Sequence, residues 1–283
     1  MEIKLAKNSG FCFGVNRAIN MINRIIETEN KPIYTLGPII HNPAIIEELN
    51  NKGVRVAKSV DEIPQNSIVI IRTHGISEKV LLKLKERNLT VFDATCPYVS
   101  KIQQIAKTHS QQGAAIIIAG NPNHPEVQGI KGFSKEAYII ESVDDIKTLF
   151  KNNQNLAGKP CVFVSQTTFN KREWRKIIQY VKKMYTSSLI FDTICNATEE
   201  RQTEAEKIAK ESEAVIVIGG KNSSNTTKLY EICKAICPNT YLIESSFELP
   251  LEKLKGFKII GITAGASTPD GIIKEVYEKC LRM

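Results

Sequence analysis

The sequence predicts an α/β fold of three related units, with mostly parallel sheets arranged around a pseudo-threefold axis. Apolar strand-like runs alternate with amphipathic helices, which is typical of parallel sheets. Three kinds of run recur in matching order, and each repeat leads to a cysteine that precedes a helix. The runs are YTLGPIIH, IIIAGNPNH and VIVIGGKNSS; RVAKSVDEI, YIIESVDDI and YLIESSFEL; IVIIRTHG, CVFVSQTT and IIGITAG.

The elements follow one order in every unit. A cysteine is followed by an amphipathic helix, a strand that ends in glycine and a polar loop, and a second helix. Two more strands and a further helix then lead to a final strand that carries the next cysteine, as in VFDATC and IFDTIC. Helices are predicted to start near Tyr98 and Ala197, as counterparts of the first helix. The apolar residues of that first helix recur with a period near 3.6: Val15, Ala18, Ile19, Ile22, Ile25 and Ile26.

The unit boundaries follow from the positions of the cysteines. We predict units at 13–96, 97–195 and 196–283. The third unit reaches Met283 without its final strand, and residues 1–12 contain a strand and a cysteine that complete it. The alternative is an ordinary two-domain doubly wound fold. In both cases the loops at the carboxyl ends of the strands are available for a ligand.

Composition narrows the function classes. Hydrophobic residues make up 42% of the 283 residues and charged residues 24%, as in globular proteins. No apolar stretch approaches the roughly 18 residues that span a bilayer, and the N-terminus has no apolar signal core, so we expect a cytoplasmic protein without a membrane partner. The net charge of +8 fits an anionic small substrate. The basic residues are scattered and no zinc-finger, RRM or KH signature is present, so no nucleic-acid partner is expected.

Seven cysteines in a reducing compartment do not indicate a disulfide framework. Cys12, Cys96 and Cys195 occupy equivalent positions directly before helices. A helix N-terminus favours the thiolate, which is the form that binds metals. Three such thiolates could hold zinc or an iron–sulfur cluster, or all three cysteines could be structural. The remaining cysteines are predicted to pack in the core: Cys161, Cys233, Cys237 and Cys280.

Polar residues concentrate in the loops that follow the strands. His41 and His124 each lie four residues after a glycine, and His74 lies in the other loop set. The equivalent loops also carry hydroxyl and amide groups: Thr73, Gln166, Thr167, Thr168, Ser223, Ser224, Asn225, Ser267 and Thr268. Strand ends that precede helices bind phosphate through backbone N–H groups. As simpler roles, Ser77, Asn170 and Thr268 are predicted helix N-caps, with Pro269 at the first helical position.

The motifs GFCFGVNRAI, LGPIIHN, RTHG, DATCP, GNPNHPEV, SQTTF, TICNAT, GGKNSSNT and TAGAST resemble the hydroxymethylbutenyl diphosphate reductase family of the LytB/IspH type. The resemblance covers essentially the whole chain. It implies a central 4Fe–4S cluster on Cys12, Cys96 and Cys195, with the fourth iron open for substrate. It also implies proton delivery by Glu126 and Thr167. The implied diphosphate-binding residues are His41, His74, His124, Thr168, Ser223, Ser224, Asn225 and Ser267.

The resemblance implies the last step of the non-mevalonate isoprenoid pathway. Two electrons and two protons remove the allylic hydroxyl of 4-hydroxy-3-methylbut-2-enyl diphosphate, which gives isopentenyl and dimethylallyl diphosphate plus water. A low-potential donor such as flavodoxin or ferredoxin would supply the electrons. Two alternatives use the same thiolates: a non-redox zinc hydrolase, and a redox-sensing or RNA-associated binding protein without turnover.

Overall fold

The structure is a computed structural model that describes residues 1–156 and 158–283. Strands and helices alternate, as predicted. The strands are β1 (Glu2–Leu5), β2 (Ile33–Leu36), β3 (Val54–Ala57), β4 (Ile68–Ile71), β5 (Thr90–Asp93), β6 (Ala115–Ala119), β7 (Ala137–Ile140), β8 (Cys161–Ser165), β9 (Leu189–Ile190), β10 (Ala214–Ile218), β11 (Thr240–Ile243) and β12 (Ile259–Ala264). The helices are α1 (Phe13–Thr28), α2 (Pro43–Asn51), α3 (Glu78–Glu86), α4 (Pro97–Gln111), α5 (Pro125–Lys131), α6 (Val143–Asn152), α7 (Lys171–Met184), α8 (Asn196–Lys210), α9 (Ser224–Ile236), α10 (Leu251–Leu254) and α11 (Asp270–Leu281).

The strands form three four-stranded sheets, and every strand pair in them is parallel. This confirms the predicted α/β class. The orders are β3-β2-β4-β5, β7-β6-β8-β9 and β11-β10-β12-β1. The N-terminal strand β1 therefore takes the edge position that β5 and β9 hold in the other sheets. Its register pairs Glu2 with Ile259 and Leu5 with Ile262.

The chain divides into two compact units. The terminal lobe comprises residues 1–16, 40–49 and 195–283, and the middle lobe comprises residues 17–39 and 50–194. The terminal lobe contains the sheet with β1, and the middle lobe contains the other two sheets. The three-unit boundaries after Cys96 and Cys195 remain a prediction.

Central strands are apolar on both faces because helices cover both faces of a parallel sheet. In the middle lobe, Ile117 and Phe163 pack with Trp174 of α7, while Ile116 and Val162 pack in a second cluster on the opposite face. All five residues of β6 are buried. Burial of each large aliphatic or aromatic side chain stabilises the fold by about 1.5–3 kcal/mol. These cores fix the strand ends at which the polar loops begin.

The helices that follow Cys96 and Cys195 start within one residue of the predicted positions, since α4 begins at Pro97 and α8 at Asn196. Ser77 and Asn170 cap α3 and α7 as predicted. The prediction for Thr268 is wrong by one residue, because Pro269 is the N-cap of α11. The Thr268 hydroxyl instead donates to the carbonyl of Ile218, at 3.0 Å. Among the described residues, no helix has the length and apolar character needed to cross a membrane.

Candidate functional site

The terminal lobe carries two of the three predicted ligand cysteines. Cys12 lies between β1 and α1, and its backbone N–H donates to the carbonyl of Ala266 at 3.1 Å. Cys195 is the N-cap of α8, and its Sγ lies 3.1 Å from the hydroxyl of Thr198. Neither side chain is fully buried. Both thiols therefore lie at the start of a helix, where the backbone N–H groups favour negative charge.

Arg201 of α8 links the two cysteine segments of this lobe. Its side chain is only 5% exposed, and its guanidinium donates to the carbonyl oxygens of Asn8, Gly10 and Ala264. Burial lowers the pKa of Arg201, and the negative charges of the Cys12 and Cys195 thiolates oppose that shift. Arg201 is therefore a buried positive charge that interacts with both cysteines of this lobe. None of the sequence motifs pointed to Arg201.

One predicted diphosphate-binding residue of the terminal lobe, Ser267, contacts the backbone at His41. The hydroxyl of Ser267 donates to the carbonyl of His41 at 3.5 Å. The backbone of Gly220 also lies close to this carbonyl group. A Cβ at Gly220 would lie 2.4 Å from the carbonyl oxygen of His41, so glycine permits the approach. The Oδ1 of Asn225 accepts from the backbone N–H of Ala266 at 3.0 Å, which fixes the orientation of the Asn225 side chain.

Ser223 and Ser224 lie at the start of α9 in the same lobe. The Oγ of Ser223 accepts from the N–H of Thr226 at 3.4 Å, so Ser223 is the helix N-cap. Ser224 is the first helical residue. The N-terminus of α9 therefore follows the loop at Gly220 and has Asn225 in its first turn. Helix N-termini with flanking amide and hydroxyl donors are suited to phosphoryl oxygens.

In the middle lobe the structure brings His74 and His124 together. Their rings are 5.2 Å apart between centroids and nearly perpendicular, at 85°. His124 is the N-cap of α5, because its Nδ1 accepts the backbone N–H of Glu126 at 3.2 Å. A neutral imidazole that accepts through Nδ1 carries its proton on Nε2. The cap thus makes Nε2–H of His124 a hydrogen-bond donor.

Glu126 is buried, at 1% exposure, and its carboxylate is held by one residue. Oε1 accepts from the backbone N–H of Thr167 at 2.6 Å, and Oε2 accepts from the Thr167 hydroxyl at 2.8 Å. Burial raises the pKa of Glu126 to about 7, although the two bonds from Thr167 oppose the shift. The carboxyl group is therefore partly protonated at neutral pH, as a proton donor requires.

Two further predicted residues of this lobe have defined positions. Cys96 is the N-cap of α4, and its backbone N–H donates to the carbonyl of Thr73 at 2.9 Å. The Oγ1 of Thr168 accepts from the side chain of Gln166 at 2.9 Å. Arg17 donates to the carbonyl of Thr95 at 3.0 Å and so fixes the loop that ends at Cys96. The sequence analysis assigned no role to Arg17.

The seven cysteines divide into two classes by exposure. Cys12, Cys96 and Cys195 are partly exposed, whereas the other four are buried in the hydrophobic cores as predicted. Burial raises the pKa of Cys233 to about 12 and that of Cys280 to about 11, which keeps these thiols neutral. Only the first class therefore fits a thiolate-bound metal group. Thiolates are the usual ligands of iron–sulfur clusters, so the donor set suits such a group.

Comparisons with known proteins show which family the chain belongs to. The chain matches the family model described as LytB protein over residues 3–281. A protein of a Nitratiruptor species named 4-hydroxy-3-methylbut-2-enyl diphosphate reductase is 44% identical, over 98% of each chain. One of the same name from Clostridium perfringens (strain 13 / Type A) is 46% identical, also over 98% of each. The solved E-1-hydroxy-2-methyl-but-2-enyl-4-diphosphate reductase from Plasmodium falciparum is 29% identical. It has a TM-score of 0.93, with 98% of this chain and 87% of that chain covered.

Proposed function

The chain belongs to the LytB protein family, and from this premise we propose how it acts as a 4-hydroxy-3-methylbut-2-enyl diphosphate reductase. The reaction removes the allylic hydroxyl of that diphosphate as water, with two electrons and two protons, and gives isopentenyl and dimethylallyl diphosphate. Family membership favours this activity over the zinc hydrolase and over the redox-sensing binding protein. What remains to be assigned is the role of each residue.

We propose that Cys12, Cys96 and Cys195 hold a 4Fe–4S cluster. The observation that carries this assignment is that these three thiols alone among the seven cysteines are partly exposed, and that each begins a helix. When bound, such a cluster supplies single electrons and Lewis acidity. The positive charge of Arg201 would stabilise the negative charge of the thiolates Cys12 and Cys195.

The diphosphate is proposed to bind through donors from the polar loops. His124 accepts the cap bond through Nδ1, so its neutral ring carries the proton on Nε2, and Nε2–H is the atom proposed to donate. His41, His74, Thr168, Ser223, Ser224, Asn225 and Ser267 are proposed to complete the set. Hydrogen bonds to a charged group contribute roughly 1.5–3 kcal/mol each. This remote binding free energy would hold the hydroxyl in position for reaction.

Glu126 and Thr167 are proposed to deliver a proton to the departing hydroxyl. Hydroxide is a poor leaving group, so the oxygen must be protonated as its carbon bond breaks. The protonated Oε2 of Glu126 can donate to the Thr167 hydroxyl, which lies 2.8 Å away and can donate onward. The two electrons balance the two protons that form water and the new C–H bond. A low-potential donor such as flavodoxin or ferredoxin is proposed to supply the electrons in the cytoplasm.

Serine substitution of each candidate ligand tests the assignment. Cys12→Ser, Cys96→Ser and Cys195→Ser, purified without oxygen, should each lose most of the bound iron and sulfide and all reductase activity. Cys233→Ser is the matched control, since Cys233 is buried in the core beside α8, and it should keep the brown colour and the iron content. Full iron in Cys195→Ser together with loss in Cys233→Ser would refute the assignment. Zinc in place of iron in the unmodified protein would support the hydrolase.

A further inference from the structure

A cavity of about 730 Å³ opens in the middle lobe at the carboxyl ends of β2 and β4. Because β2 lies between β3 and β4, the connection from β3 to β4 passes over β2. Crevices of this kind are where open parallel sheets bind ligands. None of the residues proposed above for substrate, proton transfer or cluster lines the cavity. It therefore requires an explanation of its own.

Arg72, the residue that follows β4, lies in the wall of this cavity. Its Nε–H is buried and has no hydrogen-bond partner in the described part of the chain, and its guanidinium forms no ion pair there. Burial lowers the pKa of Arg72. Gly37 makes the room for this side chain, since a Cβ there would lie 2.5 Å from the Nη1 of Arg72. Arg72 as a whole is only partly buried, but its buried Nε–H would gain a partner if an anion bound in the cavity.

Lysines add further positive charge around Arg72. Lys58, Lys79 and Lys131 are exposed and line the cavity, and no acidic residue lines it. Lys83 also lines it but is paired with Asp61 at 2.5 Å. Gly132 allows the end of α5 to approach the start of α3, because a Cβ there would lie 2.2 Å from the Cβ of Ser77. This approach brings Lys131 next to the helix that carries Lys79.

We propose that the cavity is a second anion site that binds a phosphoryl-bearing small molecule, separate from the substrate. A guanidinium can donate two parallel hydrogen bonds to a phosphoryl group, and lysines match its remaining negative charge. The concave shape, with the side chains of Ile76 and Val80 also in its wall, suits a small ligand. The site lies wholly in the middle lobe and does not depend on the proposed cluster.

Binding of inorganic diphosphate to the cluster-loaded protein, measured by calorimetry, tests the site. We expect two diphosphates per wild-type chain and one per Arg72→Gln chain. Lys79→Gln/Lys131→Gln, which changes only exposed side chains, should weaken the second site at least about 10-fold, as expected for loss of charge-assisted bonds. Arg55→Gln is the matched control, because Arg55 is exposed on β3 and lies outside the cavity. It should bind two.

His41→Ala, in the other lobe, separates this proposal from the proposed substrate site. His41→Ala should lose one diphosphate while the Arg72-dependent one remains. One outcome would overturn the cavity proposal and leave the substrate site intact. In it, the wild-type protein binds a single diphosphate, which is lost in His41→Ala but retained in Arg72→Gln and in the double lysine variant. A single site that disappears in Arg72→Gln alone would support the cavity and refute the histidine site. If Arg72→Gln does not fold, the double lysine variant decides.

Discussion

At the scale of single residues, Glu126 combines deep burial with hydrogen bonds from Thr167, the one residue in the described part of the chain that bonds to its carboxyl oxygens. Desolvation disfavours the charged form, and this effect exceeds that of the two donors from Thr167, so the pKa is raised to about 7. The sequence analysis selected Glu126 from the family resemblance. Burial of a carboxyl group in the first turn of α5, next to the cap residue His124, is a tertiary property that the HPEV motif alone does not reveal.

Glu126→Gln should keep the cluster and bind substrate, because the amide retains the shape and hydrogen bonds of the carboxyl group. It should lose at least about 100-fold in turnover, the usual scale for a general acid. The protonated form of Glu126 is the active one, so the kcat of the wild-type enzyme should fall as pH rises through about 7. This decrease of kcat with pH should be absent in Glu126→Gln. Steady-state rates across pH, with iron content as the control, measure both effects. Near-normal turnover at full occupancy would exclude Glu126 from the mechanism.

Arg201 was missed although the sequence contains a signal for it. On α8, Thr198, Arg201, Ala205 and Ile208 recur at spacings of three and four and are all buried. An arginine on the buried face of an amphipathic helix must find acceptors. Here the acceptors are three backbone carbonyl oxygens that a sequence cannot place near it.

Arg201→Gln should lower the free energy of unfolding by roughly 2–4 kcal/mol, because carbonyl groups in the core lose charge-assisted hydrogen bonds. Lys207→Gln is the matched control on the same helix, since Lys207 is exposed, and it should change stability by less than about 0.5 kcal/mol. The free energy of unfolding of the two variants, purified anaerobically, is measured by urea denaturation and compared with that of the wild-type protein. Equal stability of both variants would show that the carbonyls find other donors.

At the scale of elements, helix and strand positions were the most predictable part of the molecule. The repeated pattern of a cysteine followed by a helix placed the starts of α4 and α8 to within one residue, because equivalent positions of the repeat begin equivalent helices. The cap of α11 was less predictable. The tertiary bond from Thr268 to Ile218 removes the hydroxyl that would otherwise cap the helix.

The packing of α8 on β12 depends on Gly261. A Cβ at this position would lie 2.3 Å from Cγ2 of Ile208 and 2.7 Å from Oγ of Ser212. Gly261→Ala should therefore reduce the free energy of unfolding by about 1–3 kcal/mol through overpacking. Gly271→Ala in α11 is the contrasting variant, because no atom lies within 4 Å of the new methyl group. It should stabilise the protein by about 0.5–1 kcal/mol through higher helix propensity. Thermal unfolding of the two variants should shift in opposite directions.

At the scale of the whole molecule, the threefold repetition of sequence patterns predicted three related α/β units with mostly parallel sheets. The structure has three four-stranded parallel sheets, and their strand orders are equivalent, which was not predicted. The two lobes were not predicted. The terminal lobe combines segments from residues 1–16, 40–49 and 195–283, and the contacts that join distant segments depend on individual side chains such as Arg201. Periodicity reports local structure, so it cannot show which segments share a core.

Deletion of residues 1–5 tests the role of β1 as the edge strand of the terminal lobe. The deletion removes the pairing of Glu2 to Leu5 with β12, so amides of β12 and β10 should exchange hydrogen faster. Amides of β6 and β8, in the middle lobe, should keep their protection. Deletion of residues 282–283 is the control, because these residues follow α11 and are exposed. Unchanged exchange in β12 after the first deletion would contradict the role of β1.

The pairing of β1 with β12 also has a consequence during protein synthesis. Strand β1 is synthesised long before its partner β12, because Ile3 pairs with Ile260. The middle lobe consists of residues that precede Cys195 and can begin to fold on the nascent chain. The terminal lobe, which contains Cys12 and Cys195, can close only after β12 has been synthesised. A metal group that needs both cysteines would therefore be inserted after that point in synthesis.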